Sequence, residues 1–263
     1  MKKILITGAN SYIGTSFETY VKEKFFREYL VDTIDVTDDS WKKQSFAGYD
    51  TVLHVAGIAH RKETKENAHL YYEVNRDLSY DVAQKACADG AKQFIYISSM
   101  SIYGKSTGVI TKSTPPNPKS HYGKSKLEGE LLIKTLHSEA FKVCILRPPM
   151  VYGEGCKGNY NTLIKIVKRF PVFPKVKNQR SAIHIDHLTA FMVSAIRKEL
   201  NGCFVPQDNE YINTTQMAKD IADDLNKRIY ASYCLGAVVC LLRPFSKTLT
   251  KAFGSLIYEM GDF

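Results

Sequence analysis

The chain has 263 residues, enough for one large domain or for a domain with a smaller lobe, and it can bury a substantial core. Its 36 Lys and Arg against 27 Asp and Glu give a formal net charge of +9, yet the basic residues are spread and no run of them reaches five. This spread favours anionic small molecules as partners and, without an RNA- or DNA-binding signature, argues against nucleic acid.

The six cysteines form no C-x-x-C pair and no His/Cys cluster with metal-ligand spacing, so we expect no metal site. Free cysteines in apolar segments suit a reducing cytoplasm. Met1-Lys2-Lys3 runs straight into a strand of three apolar residues, too short for the apolar region of a signal peptide. The longest apolar stretch, Cys234 to Leu242, is about half a membrane span. We expect a cytoplasmic protein without stable membrane insertion.

The first predicted element is a buried strand at Ile4-Leu5-Ile6, followed by a turn and a helix that runs to about Phe26. Strand, glycine turn and helix N-terminus together seat a pyrophosphate on backbone N–H groups and on the positive helix end. The three-glycine fingerprint is incomplete, because Ser11 stands where a middle glycine is usual, but its hydroxyl can donate to phosphate. The alternative is an ordinary strand-to-helix turn. The cofactor contacts predicted here are Gly8, Asn10, Ser11, Tyr12, Ile13 and Gly14.

The second predicted strand, about Tyr29 to Asp35, ends in an acidic residue some twenty positions after Gly14. A carboxylate there accepts both ribose hydroxyls and repels a 2′-phosphate, which favours NAD over NADP. The alternative is that Asp35 and Val36 hold the adenine amino group. Only fourteen residues separate Asp35 from Asp50, too few for a helix, a strand and a helix, so one sheet element is missing or fused.

The strand that starts at Thr51 ends in small residues, as needed where a cofactor passes close to the backbone. We predict that these residues contact the cofactor: Val55, Ala56 and Gly57. A helix from about Leu70 to Asp89 carries Asn75, whose amide is placed to hold a neighbouring strand end; the alternative is a solvated helix asparagine.

Further strands at Phe94–Ile97 and Val143–Leu146 continue the alternation of strand and helix. This alternation predicts an α/β fold with a doubly wound parallel sheet of the Rossmann type.

A proton-transfer motif follows the strand at Phe94–Ile97. Tyr122 and Lys126 lie four residues apart and therefore share one face of a helix. An ammonium beside a phenol lowers the pKa of the phenol, so the tyrosine can act as a base near neutral pH. A serine at the strand end, Ser98 or Ser99, would hydrogen-bond the same substrate oxygen.

The Tyr-x-x-x-Lys spacing also occurs at Tyr20 and Lys24, in a plain amphipathic helix without a preceding serine strand. We interpret that pair as surface chemistry. For Tyr122 the alternative is a helix-start tyrosine beside a solvated lysine.

The pattern loosens after Gly155 into short elements: a helix at about Tyr160–Arg169, a strand at Ile183–Asp186, a helix at His187–Leu200, and a helix with Thr214 as its N-cap that runs to Lys227. Discontinuous elements of this kind predict a small C-terminal substrate lobe. We assign residues 1–150 plus 183–200 to an NAD-binding domain and residues 151–182 plus 201–263 to the lobe.

Seven features together resemble an extended short-chain dehydrogenase/reductase, in the NAD-dependent epimerase/dehydratase group typified by UDP-glucose 4-epimerase: TGANSYIG, DTVLHVAG, Asn75, ISSMSIYG, YGKSK, LRPPMVYGEG and RSAIHIDHL. They span roughly residues 4 to 190. The resemblance implies that Ser99 is the hydrogen-bonding serine, with Ser98 as runner-up, Tyr122 the base and Lys126 its partner.

The resemblance also assigns residues around the ligands. Asn75, Tyr122, Lys126 and Pro149 would contact the cofactor, Lys126 through the nicotinamide ribose. Arg180 and Asn159 would bind the nucleotide diphosphate of the substrate, and Ser99 would bind its sugar oxygen. Arg180 and Asn159 each have an alternative as solvated loop residues. His184 and Asp186 would brace the lobe.

The function implied is a homodimeric nucleotide-sugar epimerase that keeps its NAD bound and works through a 4-keto sugar. The alternatives are an NAD(P)H-dependent keto-sugar reductase and a catalytically silent dinucleotide-binding module. Met100-Ser101 after Ser99 disfavours 4,6-dehydration, and Met150, where the epimerase type often has asparagine, leaves the sugar contacts open. Because family members commonly continue for tens of residues beyond the equivalent of Tyr258, the resemblance also suggests a shortened C-terminus.

One apolar segment, Tyr233 to Phe245, has no place in this function. It is either a surface that touches a membrane or a partner, or a lobe helix packed on the core.

Overall fold

The computed structural model describes residues 1–59 and 61–261. Within them the strands are β1 (Lys2–Thr7), β2 (Tyr29–Ile34), β3 (Thr51–His54), β4 (Gln93–Ile97), β5 (Gly108–Ile110), β6 (Lys142–Leu146), β7 (Met150–Tyr152), β8 (Val172–Pro174), β9 (Ala182–His184), β10 (Gly202–Phe204), β11 (Tyr230–Ser232) and β12 (Leu256–Tyr258).

The α-helices of the described ranges are α1 (Tyr12–Lys24), α2 (Ala68–Tyr72), α3 (Ser79–Ala88), α4 (His121–Lys134), α5 (Asn159–Arg169), α6 (Ile185–Arg197), α7 (Thr214–Asp224), α8 (Tyr233–Leu242) and α9 (Lys247–Phe253). A π-helix at Glu73–Leu78 joins α2 to α3, and short 3-10 helices lie at Asp39–Lys43, Met100–Tyr103 and Arg243–Phe245.

Six strands form one sheet in the order β10-β6-β4-β3-β1-β2, and every neighbouring pair is parallel. Strands β3 and β4 are buried along their whole length, as expected for strands covered on both faces. Helix α1 packs with α6, and α3 packs with α4. The prediction of a doubly wound parallel sheet is confirmed.

The link between β2 and β3 is short. It holds the 3-10 helix Asp39–Lys43, and the chain passes from one side of β1 to the other without a further strand. Strand β2 is therefore the edge of the sheet. The sheet element that is missing between β2 and β3 is the one that the short spacing between Asp35 and Asp50 indicates.

The chain divides into two compact units. The first unit comprises residues 1–104, 116–148 and 185–206, and the second comprises residues 105–115, 149–184 and those from 207 onward. The sequence-based division assigns residues 105–115 to the NAD-binding domain. The structure groups them with the second unit because β5, which they contain, pairs with β12.

The second unit contains three two-stranded parallel pairs, β8 with β11, β5 with β12, and β7 with β9. Its core includes Val167, Phe173, Met217 and Ile221. This core is separate from the main core of the first unit, where Trp41, Phe46, Val52 and Phe94 are among the buried side chains.

Two local predictions in these segments are wrong. The N-cap of α7 is Asn213 and not Thr214, because the Asn213 side-chain oxygen accepts hydrogen bonds from the N–H groups of Thr215 and Gln216. The predicted strand Ile183–Asp186 ends at His184, and α6 begins at Ile185.

Helix α8 lies on the surface of the second unit. Eight of its ten residues are exposed and only Gly236 is buried. A Cβ on Gly236 would collide with the carbonyl oxygen of Lys175, so the helix touches the strand region at β8 through this glycine. A lobe helix packed on the core, the alternative for this segment, is not what the structure shows. No helix in the described ranges has the length and apolar character needed to cross a bilayer.

Candidate active site

The turn after β1 is built around two glycines. Gly8 has φ = 116°, a conformation that other residues rarely adopt, and its N–H donates to the Ile34 carbonyl at the end of β2 (3.1 Å). The Ser11 hydroxyl caps α1 by accepting from the Gly14 N–H (3.1 Å), which leaves its own proton to be donated. A Cβ on Gly14 would lie 2.6 Å from the Ser11 oxygen, so this turn requires glycine there.

Three other predicted cofactor residues belong to the same turn. Asn10 has a left-handed φ of 61°, and Tyr12 and Ile13 are the first residues of α1. The first turn of a helix is where backbone N–H groups and the helix dipole bind a pyrophosphate.

The strand order reverses at β1, which lies between β2 and β3. Doubly wound sheets bind ligands at such a point, at the carboxyl ends of the strands. Here the Thr7 carbonyl accepts the N–H groups of Val55 (3.0 Å) and Ala56 (2.9 Å), and a Cβ on Gly8 would lie 2.7 Å from the Ala56 nitrogen. The structure therefore brings Gly8, Val55 and Ala56 together at one corner.

Asp35 and Val36 follow β2 at the sheet edge. The Asp35 carboxylate accepts from the Thr37 N–H (2.9 Å) and the residue is exposed, so an oxygen remains for ribose hydroxyls. The Val36 side chain is 4% exposed and belongs to the main core. Val36 can offer a cofactor its backbone only, and the cofactor role of both residues stays a prediction.

Asn75 lies in the π-helix and is fully buried, so the alternative of a solvated asparagine is wrong. Its side-chain oxygen accepts from the Ile58 N–H (2.9 Å), and its amide donates to the Ile58 carbonyl (3.1 Å) and to the Ser125 hydroxyl (3.2 Å). The amide thus holds the segment that follows β3 against α4. A Cβ on Gly57 would lie 3.0 Å from the Asn75 oxygen, which places these two predicted residues side by side.

Two serines directly follow strand β4, and Ser99 is the one close enough to Tyr122 to act on its pKa. The Ser99 hydroxyl accepts from the Ser101 N–H (3.1 Å), which starts the 3-10 helix, donates to the Ser101 hydroxyl (3.2 Å), and lies close enough to the Tyr122 phenol to lower its pKa. Ser98 is 3% exposed, and its hydroxyl has no hydrogen-bond partner within the described part of the chain. This geometry favours Ser99 over Ser98 as the serine that shares an oxygen with Tyr122.

The N-terminus of α4 is held by two side chains. Ser120 caps the helix by accepting from the Gly123 N–H (3.1 Å). The Glu63 carboxylate accepts the N–H groups of His121 and Tyr122, each at 3.0 Å. Glu63 was not predicted from the sequence, since it lies in an irregular segment without a motif. Its carboxylate also complements the positive end of the helix dipole.

Burial governs the proton affinity of Tyr122. It raises the pKa of the phenol, the nearby Ser99 hydroxyl acts in the opposite direction, and Tyr71, whose ring packs edge-on against Tyr122, adds to the increase. The sequence argument expects Lys126 to lower this pKa. In the structure the pKa is raised instead, chiefly because burial disfavours the phenolate.

Lys126 is 5% exposed. Its amine donates to the Ile97 carbonyl (2.9 Å), lies 4.6 Å from the centre of the Tyr96 ring, and would be 3.1 Å from a Cβ on Gly57. Burial lowers the pKa of Lys126 to about 7, against the opposing charge of Glu130. An amine with this pKa can gain or lose a proton near neutral pH, so Lys126 is suited to proton transfer as well as to binding.

A buried ion pair supports the strand end beside these residues. The Arg147 guanidinium donates to the Glu130 carboxylate (2.5 Å from Nη2) and to the Tyr103 hydroxyl (2.9 Å). Glu130 is completely buried on α4, and Arg147 directly follows β6. A charge pair of this kind is strongly destabilised if one partner is removed. Neither residue stood out in the sequence, because an isolated Glu and Arg carry no motif.

The remaining predicted residues lie in the second unit. Arg180 is partly buried, donates to the Gly254 carbonyl (2.9 Å), and has a pKa lowered by burial. Asn159 is exposed as the first residue of α5, and Pro149 precedes β7. His184 packs edge-on against Tyr152 (5.2 Å between ring centres), whereas Asp186 belongs to α6 in the first unit. The ligand roles of Arg180, Asn159 and Pro149 stay predictions.

The residues at the carboxyl edge of the sheet fit a dinucleotide. Gly8, Gly14 and Gly57 bring the backbone so close to Ala56, Ser11 and Asn75 that no Cβ has room there, which keeps side chains off this edge. The unpartnered Ser98 hydroxyl, buried directly after β4, is a polar atom that a ligand could satisfy. We therefore assign the cofactor to this edge, along the ends of β1, β3 and β4.

Comparison with known proteins identifies relatives of the chain. The model of the NAD dependent epimerase/dehydratase family matches residues 4–203. A UDP-glucose 4-epimerase of Vibrio cholerae is 30% identical over 251 residues, which cover 86% of this chain and 76% of that protein. An N-acetyl-alpha-D-glucosaminyl-diphospho-ditrans,octacis-undecaprenol 4-epimerase of Escherichia coli O157:H7 is 27% identical over 244 residues, covering 86% of this chain and 73% of that protein.

A similar solved structure is a dTDP-4-dehydrorhamnose reductase from Clostridium acetobutylicum. Its TM-score is 0.71 at 24% sequence identity, and the match covers 88% of this chain and 82% of that one. At this identity the likeness concerns the fold alone.

Proposed function

Because the chain belongs to the NAD-dependent epimerase/dehydratase family, we propose that it is a 4-epimerase of a nucleotide-diphosphate sugar with NAD as its cofactor. The observation that carries this proposal is the Ser99 hydroxyl close enough to the Tyr122 phenol to lower its pKa, with buried Lys126 one turn along the same helix. Both sequence relatives described above are named as 4-epimerases.

The chain's own residues act on one proton. Tyr122 removes the proton of the sugar C4 hydroxyl and returns it at the end of the cycle, while Ser99 hydrogen-bonds the same oxygen. Lys126, with a pKa of about 7, stabilises the phenolate when charged. NAD supplies the acceptor, and later the donor, of the C4 hydride. The sugar turns over as a 4-keto species between the two transfers.

The substrate's diphosphate is assigned to Arg180 and Asn159, a cation and an amide that suit phosphate oxygens. A homodimer formed through α3 and α4 also belongs to the proposal.

The first test identifies the bound cofactor and the reaction product. Mass spectrometry of ligand released from purified protein should find NAD, and UDP- and dTDP-sugars should convert into their C4 epimers. NADPH consumption with a keto-sugar, without epimerisation, would instead identify a reductase.

The role of Tyr122 is tested by Tyr122→Phe, which removes the phenol oxygen and keeps the ring. We expect kcat to fall by about 10²–10⁴-fold with NAD binding retained, the range for loss of a general acid–base group. The matched control is Tyr20→Phe, which alters the other Tyr-x-x-x-Lys pair, where Lys24 lies 4.4 Å from the ring centre of Tyr20. That variant should keep wild-type turnover. An active Tyr122→Phe enzyme would remove Tyr122 from the mechanism.

A second candidate substrate is a sugar diphosphate carried on a polyprenyl lipid. The relative from Escherichia coli O157:H7 is named for such a substrate. The exposed apolar helix α8 is the observation in this chain that favours it. The same epimerisation assay with a detergent-dispersed polyprenyl-diphosphate sugar distinguishes the two substrates.

A further inference from the structure

The α8 surface, which we define as residues 233–245, exposes a row of large apolar side chains on one helix and the turn after it. Leu241 is 71% exposed and Phe245 is 87% exposed. Four more side chains are between 42% and 72% exposed: Tyr233, Leu235, Val238 and Leu242. Single exposed apolar residues are ordinary, but a contiguous group of them indicates an interaction site.

Basic residues lie in and next to this segment along the chain, although the Lys227 amine is held by the Val167 and Lys168 carbonyls. From Leu225 to Tyr258 the chain contains no Asp or Glu and five basic residues: Lys227, Arg228, Arg243, Lys247 and Lys251. The Lys175 amine donates to the Tyr233 hydroxyl (2.6 Å) and lies over its ring, and Lys177 and Lys219 are close enough to act on the same phenol. The segments of the second unit hold 15 Lys and Arg against 8 Asp and Glu.

We propose that the α8 surface is a peripheral docking site for an anionic lipid bilayer. The apolar side chains enter the boundary between headgroups and acyl chains, and the basic residues pair with anionic headgroups. Tyr233, with an apolar ring and a polar tip, suits the headgroup level. Helix α8 is too short to span a bilayer, so it lies in the interface. This inference does not depend on the proposed activity.

Charge decides between a bilayer and a second copy of the chain as the occupant. Two copies joined through α8 would bring two basic surfaces together, which like-charge repulsion opposes. An anionic bilayer complements both features, the apolar side chains and the excess of positive charge. Docking should therefore require anionic lipid and weaken as salt concentration rises.

The test is sedimentation of the intact protein with vesicles, in reductant because Cys234 and Cys240 are exposed. Vesicles of equal parts phosphatidylglycerol and phosphatidylcholine should sediment the protein, and pure phosphatidylcholine should not. The double variants Val238→Glu/Leu241→Glu and Arg243→Gln/Lys247→Gln should each lower the partition coefficient by about tenfold or more. The matched controls alter exposed positions of the first unit. Phe26→Glu is the control for the apolar change and Lys42→Gln/Lys43→Gln for the charge change. Both should bind vesicles as the wild type does.

A fluorescent probe checks the depth of docking. Trp41 is the single native tryptophan and is 2% exposed in the first unit, so its emission gives a constant background. The tryptophan emission maximum of Leu241→Trp should move to shorter wavelength when anionic vesicles are added. The emission maximum of Phe26→Trp should not move. The proposal is overturned if wild-type protein ignores anionic vesicles, or if Val238→Glu/Leu241→Glu still sediments. It is also overturned if Val238→Glu/Leu241→Glu differs from wild type in its oligomeric mass and not in vesicle binding. That result would assign the surface to a second copy of the chain.

Discussion

At the scale of single residues, the candidate site depends on groups whose protonation the fold has changed. Burial raises the pKa of Tyr122 and lowers that of Lys126 to about 7, so burial disfavours the charged form of both. The nearby Ser99 hydroxyl opposes the change in the pKa of Tyr122. Glu63 positions the tyrosine from the other side, through two backbone N–H groups at the start of α4. A change at Glu63 would therefore act on Tyr122 through the helix start.

His54, at the end of β3, is a second residue whose titration the fold suppresses. Its Nδ1 is 2.7 Å from the Thr7 hydroxyl and its Nε2 is 2.9 Å from the Ser79 hydroxyl. Because the Ser79 hydroxyl already donates to the Val74 carbonyl, it accepts from Nε2–H, which leaves Nδ1 to accept from Thr7. The buried ring is thus neutral. Burial first, and the charge of Lys126 second, lower its pKa from 6.5 to about 3.

This depressed pKa predicts acid sensitivity. Between pH 6.5 and about 3 the unfolded state binds a proton that the folded state rejects, so stability is lost as pH falls through this window. At pH 5 the loss should be about 2 kcal/mol relative to pH 7. Urea unfolding followed by Trp41 fluorescence should show this extra loss in wild type and not in His54→Gln. The exposed His137→Gln should keep the wild-type pH dependence, and equal slopes for wild type and His54→Gln would contradict the argument.

At the scale of elements, α4 is close to its neighbours because it carries two glycines. A Cβ on Gly123 would lie 2.7 Å from the Ser101 carbonyl oxygen, and one on Gly129 would lie 2.5 Å from the Asn75 carbonyl oxygen and 2.8 Å from the Tyr96 hydroxyl. The helix can therefore approach the 3-10 helix after β4 and the π-helix at once. This approach holds Tyr122 and Lys126 beside the strand end.

Gly129→Ala tests this packing. In an isolated helix the change would stabilise by about 1 kcal/mol, because alanine favours helix. Here the added methyl has no space, and we expect a net loss of about 1–3 kcal/mol in the free energy of unfolding, typical of overpacking. Lys134→Ala, an exposed position of the same helix, should change stability by less than about 0.5 kcal/mol. A stabilised Gly129→Ala protein in urea unfolding would show that the contact is not tight.

At the scale of the whole molecule, the two units differ in charge. The first unit has 21 Lys and Arg against 19 Asp and Glu, whereas the second has 15 against 8. Most of the net charge of +9 therefore belongs to the unit that carries Arg180 and the α8 surface. An excess of positive charge suits both a diphosphate ligand and an anionic lipid surface.

Cofactor binding should appear as added stability of the first unit, which Trp41 reports. NAD at about a hundredfold its Kd should add about 2.7 kcal/mol to the unfolding free energy by mass action. NADP at the same concentration should add less, because Asp35 repels its phosphate. Asp35→Ala should lower the stabilisation by NAD and reduce the difference between the stabilisation by NAD and by NADP. Asp39 is another exposed carboxylate, and Asp39→Ala should change neither value. Equal effects of NAD and NADP on wild type would argue against the role of Asp35.

The sequence by itself determined the features that depend on short-range spacing. The glycine turn after β1, the serines after β4 and the Tyr122–Lys126 spacing are local, because helix and strand periodicity place neighbouring side chains without reference to the rest of the chain. The alternation of strands and helices likewise predicted the parallel sheet, and the short interval after Asp35 predicted its missing element.

Only the tertiary structure decided the features that join distant segments. The Glu63 cap on α4, the burial that reverses the expected pKa direction of Tyr122, and the pairing of β5 with β12 each bring together residues far apart in sequence. The same holds for α8, whose apolar sequence suits a buried helix as well as a docking surface. Its exposure follows from what the rest of the second unit leaves uncovered, and hydrophobic periodicity along one segment carries no information about that.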